Sequence, residues 1–94
     1  MTLNTYRDEV KEFLTRMDSL DGDNEEKIKW LNEEFELFKM AVSNSERAKI
    51  QHQLYDMLYL LFEIAADNDF DLDIEWNAGM KKKQIKYLNK KDKL

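Results

Sequence analysis

Two pairs of polar side chains are the residues of this chain best suited to chemistry. Glu33 and Glu36 form the first pair, and Gln53 and Asp56 form the second. Residues three apart on an α-helix share a face, so each pair can direct its oxygen atoms toward one point. Three carboxylates and an amide are hard oxygen donors, which suit Mg²⁺. Two interpretations stay open: an oxygen-lined cation site, if the two pairs face each other, or a solvated helix face, since acidic pairs at helical spacing are common in a chain that is 37% charged.

The segments that carry these pairs have the periodicity of amphipathic helices. Apolar residues recur at spacings of three and four, and clusters of turn-forming residues separate the runs. The pattern predicts an all-α protein with helices over about residues 4–18, 24–42, 45–67 and 72–89. The short break at Ser43 to Ser45 favours antiparallel packing of the second and third helices. That packing would set both pairs around one small volume.

The helix starts and the buried faces also follow from the pattern. Asn4 or Thr5 is expected to cap the first helix and Asp23 or Asn24 the second, while Ser43 and Glu46 have capping-box spacing before the third. The third helix is expected to be central because it is apolar on most sides. The predicted core stripes are Ile28, Leu31, Phe35, Phe38 and Val42; Ile50, Leu54, Met57, Leu58, Leu61 and Ala65; and Leu72, Trp76, Met80 and Tyr87.

Length and composition bound the class of protein. The 94 residues suffice for one domain, 1–94, and the absence of Pro with only two Gly fits long helices. The absence of Cys excludes disulfides, Cys-ligated zinc, iron–sulfur clusters and thiol nucleophiles, and fits a cytoplasmic protein. A net charge of −5 argues against nucleic acid as a partner. The start resembles no secretory signal, and the longest apolar run is too short to span a membrane.

Several other side chains have two interpretations each. The last fourteen residues hold seven Lys and one Asp, and these cations either complement the helix dipole or contact phosphate. His52 is expected to be a surface or interface residue. Trp30 and Trp76 are expected in the core or an interface, with contact to a nucleotide base as the alternative. Four amphipathic helices in so short a chain predict a homodimer or homotetramer, because a lone chain would expose too much apolar surface.

The ordered set of motifs carries a family resemblance. Glu33-x-x-Glu36, sixteen intervening residues and Gln53-x-x-Asp56 lie within Trp30-Leu-Asn-Glu-Glu-Phe-Glu-Leu37 and the apolar run from Leu54 to Ala65. An acidic break and a basic final segment with Tyr87 follow. Over about residues 25–88, this arrangement resembles the MazG-like all-α nucleotide pyrophosphohydrolases, whose pattern is ExxE followed by ExxD.

The resemblance implies a fold, an activity and a set of roles. The fold would be a four-helix MazG-like bundle that oligomerises through helix faces. The activity would be Mg²⁺-dependent cleavage of a nucleoside triphosphate to the monophosphate and pyrophosphate, with Mn²⁺ as a substitute metal. Glu33, Glu36 and Asp56 would be metal ligands, with Gln53 at the fourth position of the catalytic set. The matching basic positions, Lys82 and Lys86, would contact the substrate phosphates.

Gln53 departs from the family pattern, which has Glu at this position. Gln keeps the shape and an oxygen donor but removes one negative charge, which should lower metal affinity and could remove a general base. Three explanations stay open: a natural one-metal variant, a degenerate domain, or a deliberate inactivating substitution. The alternative function is therefore a non-catalytic helical module for oligomerisation or interaction.

Overall fold

The computed structural model describes residues 2–20 and 22–88, and these residues are helical wherever they form regular structure. Helix α1 spans Leu3–Arg16, α2 spans Asn24–Ser43, α3 spans Arg47–Asp67 and α4 spans Leu72–Lys83. A π-helical turn, Gln84–Leu88, continues α4. The predicted all-α class and four helices are confirmed, while the predicted end of the last helix at residue 89 lies outside the described residues.

The first two helices begin at residues whose side chains cap them. Thr2, and not Asn4 or Thr5, is the N-cap of α1: its hydroxyl accepts from the Thr5 N–H at 3.2 Å, and Thr5 completes a capping box. Asn4 is unavailable as a cap because its side chain binds the first turn of α4. Asp23 caps α2 by accepting from the Glu25 N–H at 2.9 Å, as one of the two predicted alternatives.

The connection between α2 and α3 is a backbone turn, and the predicted capping box of Ser43 with Glu46 is wrong. Ser43 is the last residue of α2, and Glu46 precedes α3 without a capping hydrogen bond from its side chain. Ser45 takes a positive φ of 54°, which lets the Glu46 N–H donate to the Ala41 carbonyl at 3.0 Å. The end of α2 is thus satisfied by backbone groups of the turn itself.

Helix α3 lies at the centre, as its apolar composition predicts, and packs against both α1 and α2. Helices α2 and α3 form an antiparallel hairpin, since Lys27 near the start of α2 pairs with Asp67 at the end of α3. The buried apolar side chains come from all three helices: Val10, Leu14, Ala41, Leu60, Ala65 and Ala66.

The buried face of α2 differs from the predicted one. The side chains turned toward α3 recur with heptad spacing and are buried or half-buried: Lys27, Leu31, Glu34, Phe38 and Ala41. Ile28, Phe35 and Val42 of the predicted stripe are about half exposed. Compared with the prediction, the buried face of α2 is displaced by about one residue around the helix, because Lys27, which pairs with Asp67, lies on the side that faces α3.

The predicted core positions of α3 and α4 are corrected for a similar reason. Residues that the periodicity assigns to the core are exposed by about half or more: Leu54, Leu58, Leu61, Trp76 and Tyr87. Helix α3 turns its inner sides toward α1 and α2, and no third helix of the described chain covers the remaining side. Helix α4 contributes no buried residue.

The molecule is extended for its size. The radius of gyration is 16.5 Å, whereas a compact chain of this length has about 12 Å. The accessible surface is 7639 Å², whereas a folded monomer of this mass exposes about 5,800 Å². No helix of the described residues has the length and apolarity needed to cross a membrane.

Candidate active site

Both halves of the predicted site lie on the α2/α3 hairpin. Glu33 and Glu36 are on α2, and Gln53 and Asp56 are on α3. The two glutamates are exposed, and the Glu36 carboxylate lies 3.4 Å from the Lys39 ammonium. The α3 pair is half-buried. The predicted antiparallel arrangement of the two motif helices is therefore present, with the more buried donors on α3.

Two side-chain oxygens of the hairpin are buried and lack a hydrogen-bond partner among the described residues. They are Oε1 of Gln53 and Oε2 of Glu34. A buried acceptor without a donor costs about 1–3 kcal/mol, so such atoms mark places where a cation or a donor group fits. Glu34 lies beside the predicted ligand Glu33, and the motif did not single it out. Glu34 occupies one of the heptad-spaced positions on the α2 face that is turned toward α3, and this spacing is the signal in the sequence that identifies it.

Asp56 is turned toward α1. It lines a groove between α1 and α3, and its Oδ2 lies 3.1 Å from Nε2 of His52. His52 is exposed, so its prediction as a surface residue agrees with the structure, and its contact with Asp56 is new. A histidine in this position can hold the orientation of the Asp56 carboxylate.

The donor set fits Mg²⁺ in kind, since it consists of carboxylate and amide oxygens, and the unpartnered Gln53 Oε1 has a lone pair to offer. Within residues 2–20 and 22–88, however, no group of three or more His, Cys, Asp or Glu side chains is close enough to hold a metal ion. The convergence of Glu33, Glu36 and Asp56 on one cation stays a prediction.

An apolar groove with a volume of about 1060 Å³ lies between α1 and α3. We call it the α1/α3 groove. Its walls are largely apolar and aromatic, and three acidic residues, Glu9, Asp56 and Glu63, also line it. Burial, together with nearby Glu63, raises the pKa of the Tyr59 hydroxyl in this groove. A smaller α2/α3 groove is lined by Leu31, Asn32, Phe35, Leu54, Met57, Leu58 and Leu61.

A buried ionic cluster lies at the far end of the hairpin. Lys27 is only 3% exposed and pairs with Asp67, and Glu63 is 7% exposed. Burial raises the pKa of Glu63, the charge of Asp67 raises it further, and the charge of Lys27 opposes both. The hydropathy pattern did not identify Lys27 as buried, because a lysine ordinarily marks the solvent side of a helix.

The remaining predicted site residues are exposed and stay predictions. Lys82 is in the last turn of α4, and Lys86 is in the π-helical turn with its ammonium 5.3 Å from the centre of the Tyr87 ring. Trp30 on α2 is 41% exposed and Trp76 on α4 is 60% exposed. Their side chains are accessible to a ligand or a partner, and the expectation that they lie in the core of this chain is wrong.

Comparison with known proteins adds no relative: no family model, no curated protein and no solved structure matches the chain. The function is therefore inferred from the residues and the geometry of the α2/α3 hairpin.

Proposed function

We propose that the chain is an Mg²⁺-dependent nucleoside triphosphate pyrophosphohydrolase, which converts a (d)NTP to the (d)NMP and pyrophosphate. One observation carries the proposal. The two acidic motifs lie on the two antiparallel helices of one hairpin, and the Gln53 oxygen of the second motif is buried without a partner among the described residues. The resemblance of these motifs to the MazG-like pattern supplies the reaction.

The proposed roles follow from residue chemistry. Glu33, Glu36 and Asp56 would hold Mg²⁺, with the Gln53 oxygen as a neutral donor, and Mn²⁺ could replace it. The bound cation would neutralise phosphate charge and acidify water. His52 would fix the orientation of the Asp56 carboxylate.

The substrate would be held by side chains outside the motifs. Lys82 and Lys86 would bind phosphate oxygens through their ammonium groups, and Trp30 or Trp76 would stack on the base. The exposure of all four side chains supports this assignment, because each is free to approach a ligand. A cytoplasmic location belongs to the proposal, since nucleoside triphosphates are intracellular.

Gln53 lowers the charge available to the cation. With Glu at this position the set would carry four negative charges, and with Gln it carries three. The loss of one negative charge weakens the binding of a second cation most. It also leaves one group fewer to accept a proton from the attacking water. We therefore expect slow hydrolysis that depends on one bound cation.

A second candidate function is a non-catalytic helical module for oligomerisation or interaction. It is supported by the exposed positions of Glu33 and Glu36 and by the large apolar surface of the hairpin. In either case we propose a homodimer or homotetramer. The accessible surface exceeds that of a folded monomer by roughly 1,800 Å², which is more than the ~800 Å² per partner that a standard interface covers.

The test is release of pyrophosphate from a panel of canonical and modified (d)NTPs with Mg²⁺. We expect release that EDTA abolishes, that Gln53→Glu increases, and that Glu33→Ala removes. Glu25→Ala is the matched control, because Glu25 is an exposed glutamate of the same helix outside the motif.

Calorimetric titration with Mg²⁺ separates the two candidate functions. Binding that disappears in Glu33→Ala and persists in Glu25→Ala supports the hydrolase. The absence of pyrophosphate release from both the native chain and Gln53→Glu, together with no Mg²⁺ binding, overturns the hydrolase proposal in favour of the interaction module.

A further inference from the structure

Helix α4 and its π-helical turn project from the rest of the molecule. We call residues 72–88 the arm. The arm is attached at its base, where the Leu72 N–H donates to Asn4 Oδ1 at 2.9 Å and the Leu3 N–H donates to Asp73 Oδ1 at 3.0 Å. Beyond this base the arm buries no residue of its own.

The arm has the composition of a packed helix. One side carries Leu72, Trp76 and Met80, and the opposite side carries Ile74, Ala78 and Ile85. Trp76 is 60% exposed, and Ile74 and Ile85 are each 65% exposed. A helix of this length is marginal in water without tertiary contacts, so its apolar sides need a partner surface.

The α1/α3 groove offers a surface of matching character. Phe13 and Met17 of α1 and Tyr55 and Leu58 of α3 line it and are about half exposed or more. No residue of the arm is among those that line the groove. The arm of the same chain therefore leaves the groove open along the described part of its length.

Charge selects this groove over the other one. The arm carries Lys81, Lys82, Lys83 and Lys86, whereas the α1/α3 groove presents the carboxylates of Glu9, which is exposed, and Asp56, which is half-buried. The α2/α3 groove is lined by apolar residues and one asparagine, so it offers no opposite charge to the lysines. Opposite charges steer two surfaces together and fix their register.

We propose that the arm of one chain docks in the α1/α3 groove of a second copy, and that the arm of the second copy docks in the groove of the first in the same way. Such an exchange is self-complementary, as a two-fold dimer requires. It covers the apolar sides of both arms and both grooves, which accounts for the excess of exposed surface in the single chain. It brings the arm's lysines to the other copy's Asp56. The exchange concerns assembly and does not require the proposed hydrolysis; because it covers Trp76, Trp30 is the tryptophan that stays accessible to a nucleotide base.

Cysteine cross-linking tests the exchange directly, because the native chain contains no Cys. Met80→Cys marks the arm of one chain, and Phe13→Cys marks the groove of another chain that carries a mass tag. After mixing and mild oxidation we expect a covalent heterodimer between the two. Glu25→Cys, on the exposed first turn of α2, replaces Phe13→Cys in the control and should give at least tenfold less heterodimer.

The doubly substituted chain carries Met80→Cys and Phe13→Cys together. It distinguishes docking of the arm in the groove of another chain from docking of the arm in the groove of its own chain. Exchange predicts disulfide-linked dimers at low protein concentration. A disulfide-linked monomer would show that the arm covers its own groove and would overturn the proposal, as would equal cross-linking at Glu25 and Phe13. Circular dichroism of each variant verifies the fold.

Charge reversal provides a second measurement that needs no disulfide geometry. Lys81, Lys82 and Lys83 changed together to Glu should weaken dimerisation at least tenfold in sedimentation equilibrium at low salt. The matched control changes Lys29, Lys39 and Lys49 to Glu, which alters net charge equally at exposed positions outside the groove. Equal effects of the two triple changes contradict a contact between the arm and the groove.

Discussion

Lys27, Glu63 and Asp67 form a buried ionic group of the described chain, and the burial of Glu63 makes stability depend on pH. One ammonium shares a poorly solvated space with two carboxylates. The attraction within a buried ion pair offsets the loss of hydration of its two charges only when both members are present. Burial raises the pKa of the second carboxylate, Glu63, the charge of Lys27 lowers it, and the charge of Asp67 raises it.

Glu63 therefore makes stability depend on pH in a defined direction. Its pKa is higher in the folded state than the ordinary value of 4.5. Its contribution to the free energy of unfolding is complete below that value and is lost as pH rises through the folded pKa. We expect Glu63→Gln to become progressively more stable relative to the native chain as pH rises above 4.5 and through the raised folded pKa.

Urea unfolding across this range measures the difference. Glu26→Gln, at an exposed glutamate on α2, is the control for removing one carboxylate outside the buried cluster. A gap between Glu63→Gln and the native chain that narrows with rising pH would contradict the assignment.

Asp56 shows how a neighbour modifies a candidate ligand. Its carboxylate contacts His52 on one side and the α1/α3 groove on the other. The motif predicts Asp56 as a ligand, but it cannot indicate that the imidazole of His52 already contacts one oxygen of the Asp56 carboxylate. That contact depends on side-chain orientation as well as on the spacing of four residues along α3.

At the level of elements, the helices are defined by local chemistry at their ends. Thr2, Asp23 and Asp71 each accept a backbone N–H at the start of α1, α2 and α4 respectively. Hydrogen bonds to Asn4 and to the Ile74 N–H lower the pKa of Asp71, so this cap weakens on acidification through that lowered pKa. The capping contacts join residues two to three positions apart, yet the sequence identified only the cap of α2, because Asn4 is engaged by α4 and the turn before α3 is closed by backbone groups.

Asp23 is the clearest test of a cap. Asp23→Ala removes the acceptor for the Glu25 N–H and should lower the free energy of unfolding by about 1 kcal/mol. Asp23→Asn keeps an acceptor of similar reach and should cost much less. Denaturant unfolding at neutral pH compares the two, and equal losses would show that the charge, and not the cap, is what stabilises α2.

The packing of elements was less predictable than their existence. The periodicity of α2 identified Leu31 and Phe38 as inner residues, and both are half-buried. It placed Ile28 on the same side, whereas the structure turns Lys27 inward instead. The hydropathy pattern of α2 allows either rotation, and the partner carboxylate on α3, forty residues away, decides between them.

At the scale of the whole molecule, exposed apolar surface is the dominant feature. Leu58 is 52% exposed and is shared by the α1/α3 and α2/α3 grooves. Apolar patches that extend over several helices are uncommon on monomers and mark interfaces. The proposed homo-oligomer would cover this surface.

Leu58→Ser should accordingly weaken self-association. We expect at least a tenfold rise in the dissociation constant by sedimentation equilibrium, equivalent to about 1.4 kcal/mol. Val42→Ser is the control, because Val42 is 49% exposed on α2 but lines neither groove. A similar loss in both variants would indicate general destabilisation, and no loss in either would remove these grooves from the interface.

The sequence by itself determined the helical class, the positions of the four helices within a few residues and the hairpin that carries both motifs. These features depend on spacing of three or four residues and on turn residues, so they are local. Tertiary structure decided that Lys27 and Glu34 lie inward, that Asp56 lies beside His52 and α1, and that α4 stands apart. These features depend on which helix surfaces pack against each other. A helix with apolar residues on two sides can pack in more than one orientation, so its sequence pattern does not decide between them.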